Sequence, residues 1–221
     1  MFRVKSLLIK IHNLKLWKKI TAGIFLCLLL WYIFLLPNPL FQVPYSTIIY
    51  AENNELLGGK VASDGQWRFR ATDSISEKYF TALIQYEDKR FHYHWGVDPI
   101  AIARAIVQNI RKKEVVSGGS TLTMQTIRLA RGKQRTWSEK IVEIIWATRL
   151  EFRHSKDEIL RLYASHAPFG GNIVGIDAAT WRYFNHSAQE LTWAEAATLA
   201  VLPNAPALIH PGKNRTKLLQ K

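Results

Sequence analysis

The sequence has a single cysteine, Cys27, which excludes a disulfide framework and a cysteine-based zinc cluster. Acidic residues are scarce, 17 against 30 lysines and arginines, and none precedes Glu52. The resulting formal charge of +13 points to an anionic partner: nucleic acid, an acidic membrane surface or a phosphorylated substrate. Repeats and low-complexity tracts are also missing, and 48% apolar with 12% aromatic residues is too greasy for a disordered chain. A length of 221 residues suits one globular domain plus an appendage.

Charge is absent altogether from residues 20–36, ITAGIFLCLLLWYIFLL, which end at Pro37. As a helix these residues would reach ~25 Å, the lower limit for crossing a hydrocarbon core. Before them, residues 1–19 hold Arg3, Lys5, Lys10, Lys15, Lys18 and Lys19 and no acid. This asymmetry predicts a basic cytoplasmic segment (1–19) and a single transmembrane anchor (20–36) with its N-terminus inside. A cleaved signal peptide would need a small-x-small site, which PNPLFQVPY lacks, and a lipoprotein signal would need small residues where Phe25 and Leu26 stand. Everything from about residue 40 then faces outside the cytoplasm. Nucleic acid thereby loses its appeal as a partner, and no stacking platform or recognisable nucleic-acid module is present.

Residues 37–73 read as a linker and a small β-hairpin: prolines at 37, 39 and 44, a β-branched run STIIY, a turn at Glu52–Glu55, then Leu56-Leu57. From residue 74 the pattern is helical. Ser74-x-x-Glu77, Thr136-x-x-Glu139, Ser155-x-x-Glu158 and Thr192-x-x-Glu195 match capping boxes, and Asp98-Pro99 places an N-cap before a proline at the first helical position. The expected fold class is mainly α with a short β element on its N-terminal side.

Three clusters carry chemistry. In YEDKRFHYHWGVD (86–98), Glu87 follows an apolar helix face of Tyr79, Leu83 and Tyr86, and a carboxylate kept beside such a face is a competent proton acceptor. His92, His94 and Asp98 leave a metal site open, although such histidines are more often structural. In SGGSTLTMQ (117–125), the glycines permit close backbone approach and Ser120 is expected to cap the next helix, whose free N–H groups would attract an anion. Arg128, Arg131, Lys133, Arg135 and Lys140 follow as a basic lip. On the helix from Trp137, an apolar face of Ile141, Ile144, Ala147, Thr148 and Leu150 is extended by Glu151. Two carboxylates are the usual equipment of glycosidic chemistry, and the basic lip adds a phosphorylated leaving group.

EDKRFHYHWGVD (87–98), GGSTLTMQ (118–125), EKIVEIIWATRLE (139–151) and KDEILRLYASHAPFGGNIVGIDAATWRYF (156–184), in this order, resemble the peptidoglycan glycosyltransferase domain (glycosyltransferase family 51) of class A penicillin-binding proteins and monofunctional transglycosylases. GGSTLTMQ and APFGG look most like the 1C branch. The resemblance implies a lysozyme-like α-helical glycosyltransferase domain (74–221) that polymerises lipid II with inversion and releases undecaprenyl pyrophosphate. It implies Glu87 as general base, Glu151 as the donor-side carboxylate, and Asp88, Arg90, Ser120, Gln125, Arg128 and Lys140 as substrate-binding residues. A divalent cation (Mg²⁺ or Mn²⁺) on the pyrophosphate is implied, with its ligands unspecified, and no organic cofactor. Implied partners are lipid II, the lipid-linked growing glycan, the bacterial cytoplasmic membrane and other cell-wall synthesis proteins. A transpeptidase half is expected to be absent, since no Ser-x-x-Lys motif follows. Four positions depart from the pattern: Met124 for Gln, Glu139 for Arg, and Ala164-Ser165 for Leu-Asn. A lysozyme-like hydrolase and a catalytically silent scaffold are the rival readings.

Overall fold

The computed structural model describes residues 15–53, 55–70, 75–114, 118–204, 216, 218 and 220. The chain divides into two units, Met1–Asn38 and Pro39–Lys221.

In the first unit, α1 (Leu16–Ile33) is the one described helix long and apolar enough to cross a membrane. No residue of it is buried, and a helix apolar all round suits lipid rather than water. It starts four residues before the expected 20–36 and stops at Phe34, so Lys18 and Lys19 lie inside its first turn. Their long stems allow the ammonium groups to reach the interface from that position.

The second unit opens with the hairpin anticipated from its turn. β1 (Thr47–Tyr50) pairs antiparallel with β2 (Leu56–Lys60), with a bulge between Ile49 and Tyr50. A second sheet was not legible: β3 (Trp67–Arg68) pairs in parallel with β5 (Ile173–Val174), which pairs antiparallel with β4 (Pro168–Gly170). This sheet ties the segment before residue 74 into the helical domain. Ser46 receives the Arg68 amide on its hydroxyl at 3.0 Å, and the Arg68 guanidinium donates to the Pro44 carbonyl at 2.7 Å. Phe41 stacks on His166 at 3.6 Å.

Among the described residues seven bounded α-helices follow in this unit: α2 (Glu77–Glu87), α3 (Pro99–Lys112), α4 (Leu122–Arg131), α5 (Trp137–Arg153), α6 (Lys156–His166), α7 (Ile176–Phe184) and α8 (Trp193–Val201). α2 packs on α8, while α4 packs on both α5 and α6. The core runs through Tyr79, Leu83, Phe91, Met124, Ile127, Leu150, Ile159 and Tyr163, all essentially sealed from water. The mainly α class with small sheets is what the sequence led us to expect.

The caps formed largely as expected. Asp98 accepts from the amides of Ile100 and Ala101 with Pro99 at the first position, and Ser155–Glu158 and Thr192–Glu195 form complete capping boxes. Thr136 caps α5, but the Glu139 carboxylate turns to Arg131 instead of closing a box. α2 is capped by Ser76, while Ser74 lies outside the described residues.

Candidate active site

Glu87 ends α2 one turn beyond Leu83, so the stripe that buries Tyr79 and Leu83 also draws this carboxylate inward. Gln125 Nε2 of α4 donates to Glu87 Oε2 at 2.7 Å. The other oxygen, Oε1, is buried without a hydrogen-bond partner. Burial pushes the hydroxyls of Tyr79, Tyr86 and Tyr163 above the usual phenol range, and the Glu87 charge adds to the effect. These neighbours therefore stay protonated, leaving Glu87 as the proton acceptor among them.

The loop after Glu87 is pinned at several points. Asp88 accepts from the Leu122 amide at 2.9 Å and from His94 Nε2 at 3.0 Å; facing a carboxylate, that nitrogen carries the proton. Thr121 caps α4 and donates its hydroxyl to the Gly96 carbonyl at 2.6 Å. Gly96 has φ +76°, and a Cβ there would meet the Ala147 carbonyl at 2.7 Å, so only glycine lets the loop lie against α5. Arg90 pairs with Asp98 at 3.1 Å. The possible His92–His94–Asp98 metal set thus dissolves into structural contacts: Asp98 caps α3 and binds Arg90, and His94 binds Asp88.

The basic lip is more ordered than its composition suggested. Lys140 Nζ donates to Ser120 Oγ at 2.5 Å, and Arg128 reaches the same oxygen at 3.3 Å. Ser120 is therefore a hub for two cations and not the helix cap expected of it. The N-terminus of α4 is no free anion cradle either, because Asp88 already occupies the Leu122 amide. Gly119 does allow close approach: a Cβ there would meet Ile102 Cα at 2.8 Å. Arg131 is neutralised by Glu139 at 2.7 Å, which gives the Glu139 departure an internal partner.

Beneath the lip lies Glu143, a residue the sequence reading missed. Its side chain is 4% exposed and takes Arg128 through two bonds, 2.7 and 2.9 Å, with Lys140 at 3.5 Å. Burial opposes its ionisation, but the bonds and charge of Arg128, then Lys140, outweigh it and hold the carboxyl below its ordinary range. Burial pulls the Lys140 ammonium below its usual value, against the pull of Glu143. The signal was available: Glu143 precedes Ala147 by four residues and Leu150 by seven, and 143, 147 and 150 are the residues α5 buries. Of the expected face, Ile141, Ile144, Ala147, Thr148 and Leu150, the structure buries Ala147 and Leu150, while Ile141 is 61% exposed.

Glu151, four residues beyond Ala147, turns inward as expected, its side chain 5% exposed and paired with Lys156. The site was expected to bring Glu87 and Glu151 together; each lines a depression of its own. Glu87 lines a pocket of about 150 Å³ with Asp88, Arg90, Arg104, Ser120 and Thr121. Glu151 lines a different depression with His94, Trp95, His154 and Lys156. They engage different faces of α4, Glu151 through Thr123 and Glu87 through Gln125. The carboxylate beside the lip is Glu143. Arg104 on the pocket wall was not singled out in advance.

The lip residues do not form a ligand set for a divalent cation. Both Glu143 oxygens are taken by Arg128, and no group of three His, Cys, Asp or Glu side chains suited to a metal occurs among the described residues. Any such ion would have to be held chiefly by a substrate's own phosphates.

Fold and site together define a helical domain in which one pocket joins a half-buried carboxylate to a serine held by two cations. Residues 55–221 match the Transglycosylase family, and the chain belongs to it. It is 43% identical over 178 residues to penicillin-binding protein 1C of Escherichia coli (strain K12), covering 80% of this chain and 23% of that protein. It is 37% identical over 184 residues to penicillin-binding protein 1A of Neisseria gonorrhoeae, covering 82% and 23%. Against penicillin-binding protein 1A of Aquifex aeolicus (strain VF5) it is 38% identical over 150 residues, covering 67% and 21%. The chain thus spans about a quarter of the length of these relatives.

Proposed function

We propose that this protein is a peptidoglycan glycosyltransferase that joins lipid II units into glycan strands and releases undecaprenyl pyrophosphate. The observation that carries the reading is the shared pocket: Glu87, with one oxygen unpartnered, and Ser120, held by Lys140 and Arg128, line the same cavity. Glu87 takes the proton of the acceptor sugar 4-hydroxyl, whose oxygen attacks the donor anomeric carbon from the face opposite the pyrophosphate. The new C–O bond forms with inversion, and the electron pair of the breaking bond leaves on the pyrophosphate. Arg128 and Lys140 meet the charge developing there, fixed charges being most effective where charge appears in the transition state. Glu143 keeps both cations aimed at the pocket. Gln125 orients Glu87, while Asp88 and Arg90 hold the loop through His94, Leu122 and Asp98.

A membrane setting supports the same reading. α1 has the length and composition of a single span. α3, whose Ala101 and Arg104 line the pocket, exposes Ile100, Ile106, Val107 and Ile110 on one side. Arg104, Arg111, Lys112 and Lys113 accompany that stripe, the arrangement of a helix lying in a lipid interface. With the basic segment inside, the domain faces outward from a bacterial cytoplasmic membrane, where lipid-linked substrates present their headgroups.

The test is incubation of detergent-solubilised protein with lipid II. Glycan polymer together with undecaprenyl pyrophosphate is the expected outcome. Shortening of preformed glycan with lipid II untouched would replace the transferase by a hydrolase, and inertness towards both would leave a scaffold.

A further inference from the structure

Beside a second depression lies a largely buried ion pair for which the chemistry above has no use. Glu151, in the last turn of α5, and Lys156, the first residue of α6, meet at 2.7 Å with side chains 5% and 22% exposed. Both charges sit where the helix dipole disfavours them, an anion at a C-terminus and a cation at an N-terminus. A buried ion pair is moreover a poor source of stability, and apolar side chains of similar size often serve as well. Stability alone therefore gives no reason for this pair.

What the pair does supply is direction. Lys156 Nζ also donates to the His94 carbonyl at 2.7 Å and lies 4.4 Å from the centre of the Phe91 ring. Glu151 Oε1 accepts from the Thr123 hydroxyl at 2.6 Å, and Thr123 is sealed in the first turn of α4. One end of this chain of bonds holds the loop that starts at Asp88, next to Glu87. The other end holds the helix that presents Gln125 to Glu87 and Arg128 to the lip.

We propose that Glu151 and Lys156 are positioning residues for glycosyl transfer, fixing the loop of Glu87 against α4 so that base and cations keep their separation. The inference rests on the transferase reading above. Neither residue lines the Glu87 pocket, so they act through His94 and Thr123. Small displacements of reacting groups are costly in rate, whereas the bound substrate is gripped by side chains the pair does not touch.

The experiment measures lipid II turnover and thermal unfolding of the full chain in detergent for wild type, Glu151→Met/Lys156→Met, Lys156→Arg and Thr123→Val. The double variant is expected to keep its unfolding temperature within about 3 °C of wild type. Its kcat should fall at least about five-fold, with KM unchanged within about two-fold. Lys156→Arg, which can still donate to both Glu151 and the His94 carbonyl, should recover wild-type kcat. Thr123→Val removes one link without leaving a charge unpaired, and it decides by the same kcat criterion if the double variant does not fold. A smaller fall in kcat, or a loss expressed in KM, would overturn the proposal. An inactive wild type would overturn the transferase reading and this inference with it; an active wild type beside an equally active double variant would overturn this inference alone.

Discussion

Replacing Glu143 with alanine tests whether the lip is held from beneath as described. The carboxylate is 4% exposed and makes two bonds to Arg128 and one longer contact to Lys140, whose side chains are 25% and 28% exposed. Breaking a fully buried pair costs about 3–5 kcal/mol. Here the surviving cations retain a path to water, which reduces the expected loss to about 2–3 kcal/mol. In a domain of this size that corresponds to roughly 5–10 °C in unfolding temperature. The pH dependence has a defined sign. The folded carboxyl lies below its ordinary value of 4.5, so its contribution is complete above about that pH and is lost as pH falls through the lowered value. The difference between wild type and Glu143→Ala, followed by thermal unfolding in detergent, should hold steady from neutrality to about pH 5 and shrink as pH falls further. A difference below about 0.5 kcal/mol at pH 7, the range of ordinary surface changes, would refute the buried clamp. A difference that did not shrink at all below the ordinary value of 4.5 would refute its electrostatic origin.

Lys140→Met should lower lipid II turnover about a hundred-fold or more while the fold survives, since removing one preorganised charge from a transition state commonly costs that much; full activity would remove Lys140 from the chemistry. Gly96→Ala should cost about 2 kcal/mol or more in urea unfolding, because it combines φ +76° with a 2.7 Å approach to the Ala147 carbonyl. Burial pushes the His166 imidazole down to about 4. The folded domain then resists a proton that the unfolded chain binds near 6.5, so the stability due to His166 is full above that pH and declines as pH falls towards 4. His166→Phe should flatten that part of the stability profile, and an unchanged slope would count against a neutral, part-buried imidazole.

Much of the fold was readable because its signals are local. A Ser or Thr three residues before Glu, or Asp before Pro, fixes a helix start with side chains at hand, and α3, α5, α6 and α8 begin where these signs stand. The sheet of β3, β4 and β5 escaped because its strands are two or three residues long, too short for any alternation, and it joins Trp67 to Ile173 across the chain. Glu87 could be placed at the end of a clear apolar stripe. The donor side could not, because α5 carries apolar residues on every side and the stripe can be phased in two ways. Packing against α4 chose the phase that buries Glu143, Ala147 and Leu150, and Glu151, four residues beyond Ala147, turns inward to Thr123 of α4. Competition for hydrogen bonds decided Ser120: Thr121 takes the cap, and the cations claim the serine hydroxyl.

The most direct measurement is the single-turnover rate of lipid II polymerisation by Glu87→Gln beside wild type, with folding checked by thermal unfolding. Glutamine can keep the contact to Gln125 but cannot take up the acceptor proton. The account predicts a fall of about 10³-fold at an unchanged unfolding temperature. A folded Glu87→Gln protein that polymerises at the wild-type rate would contradict it.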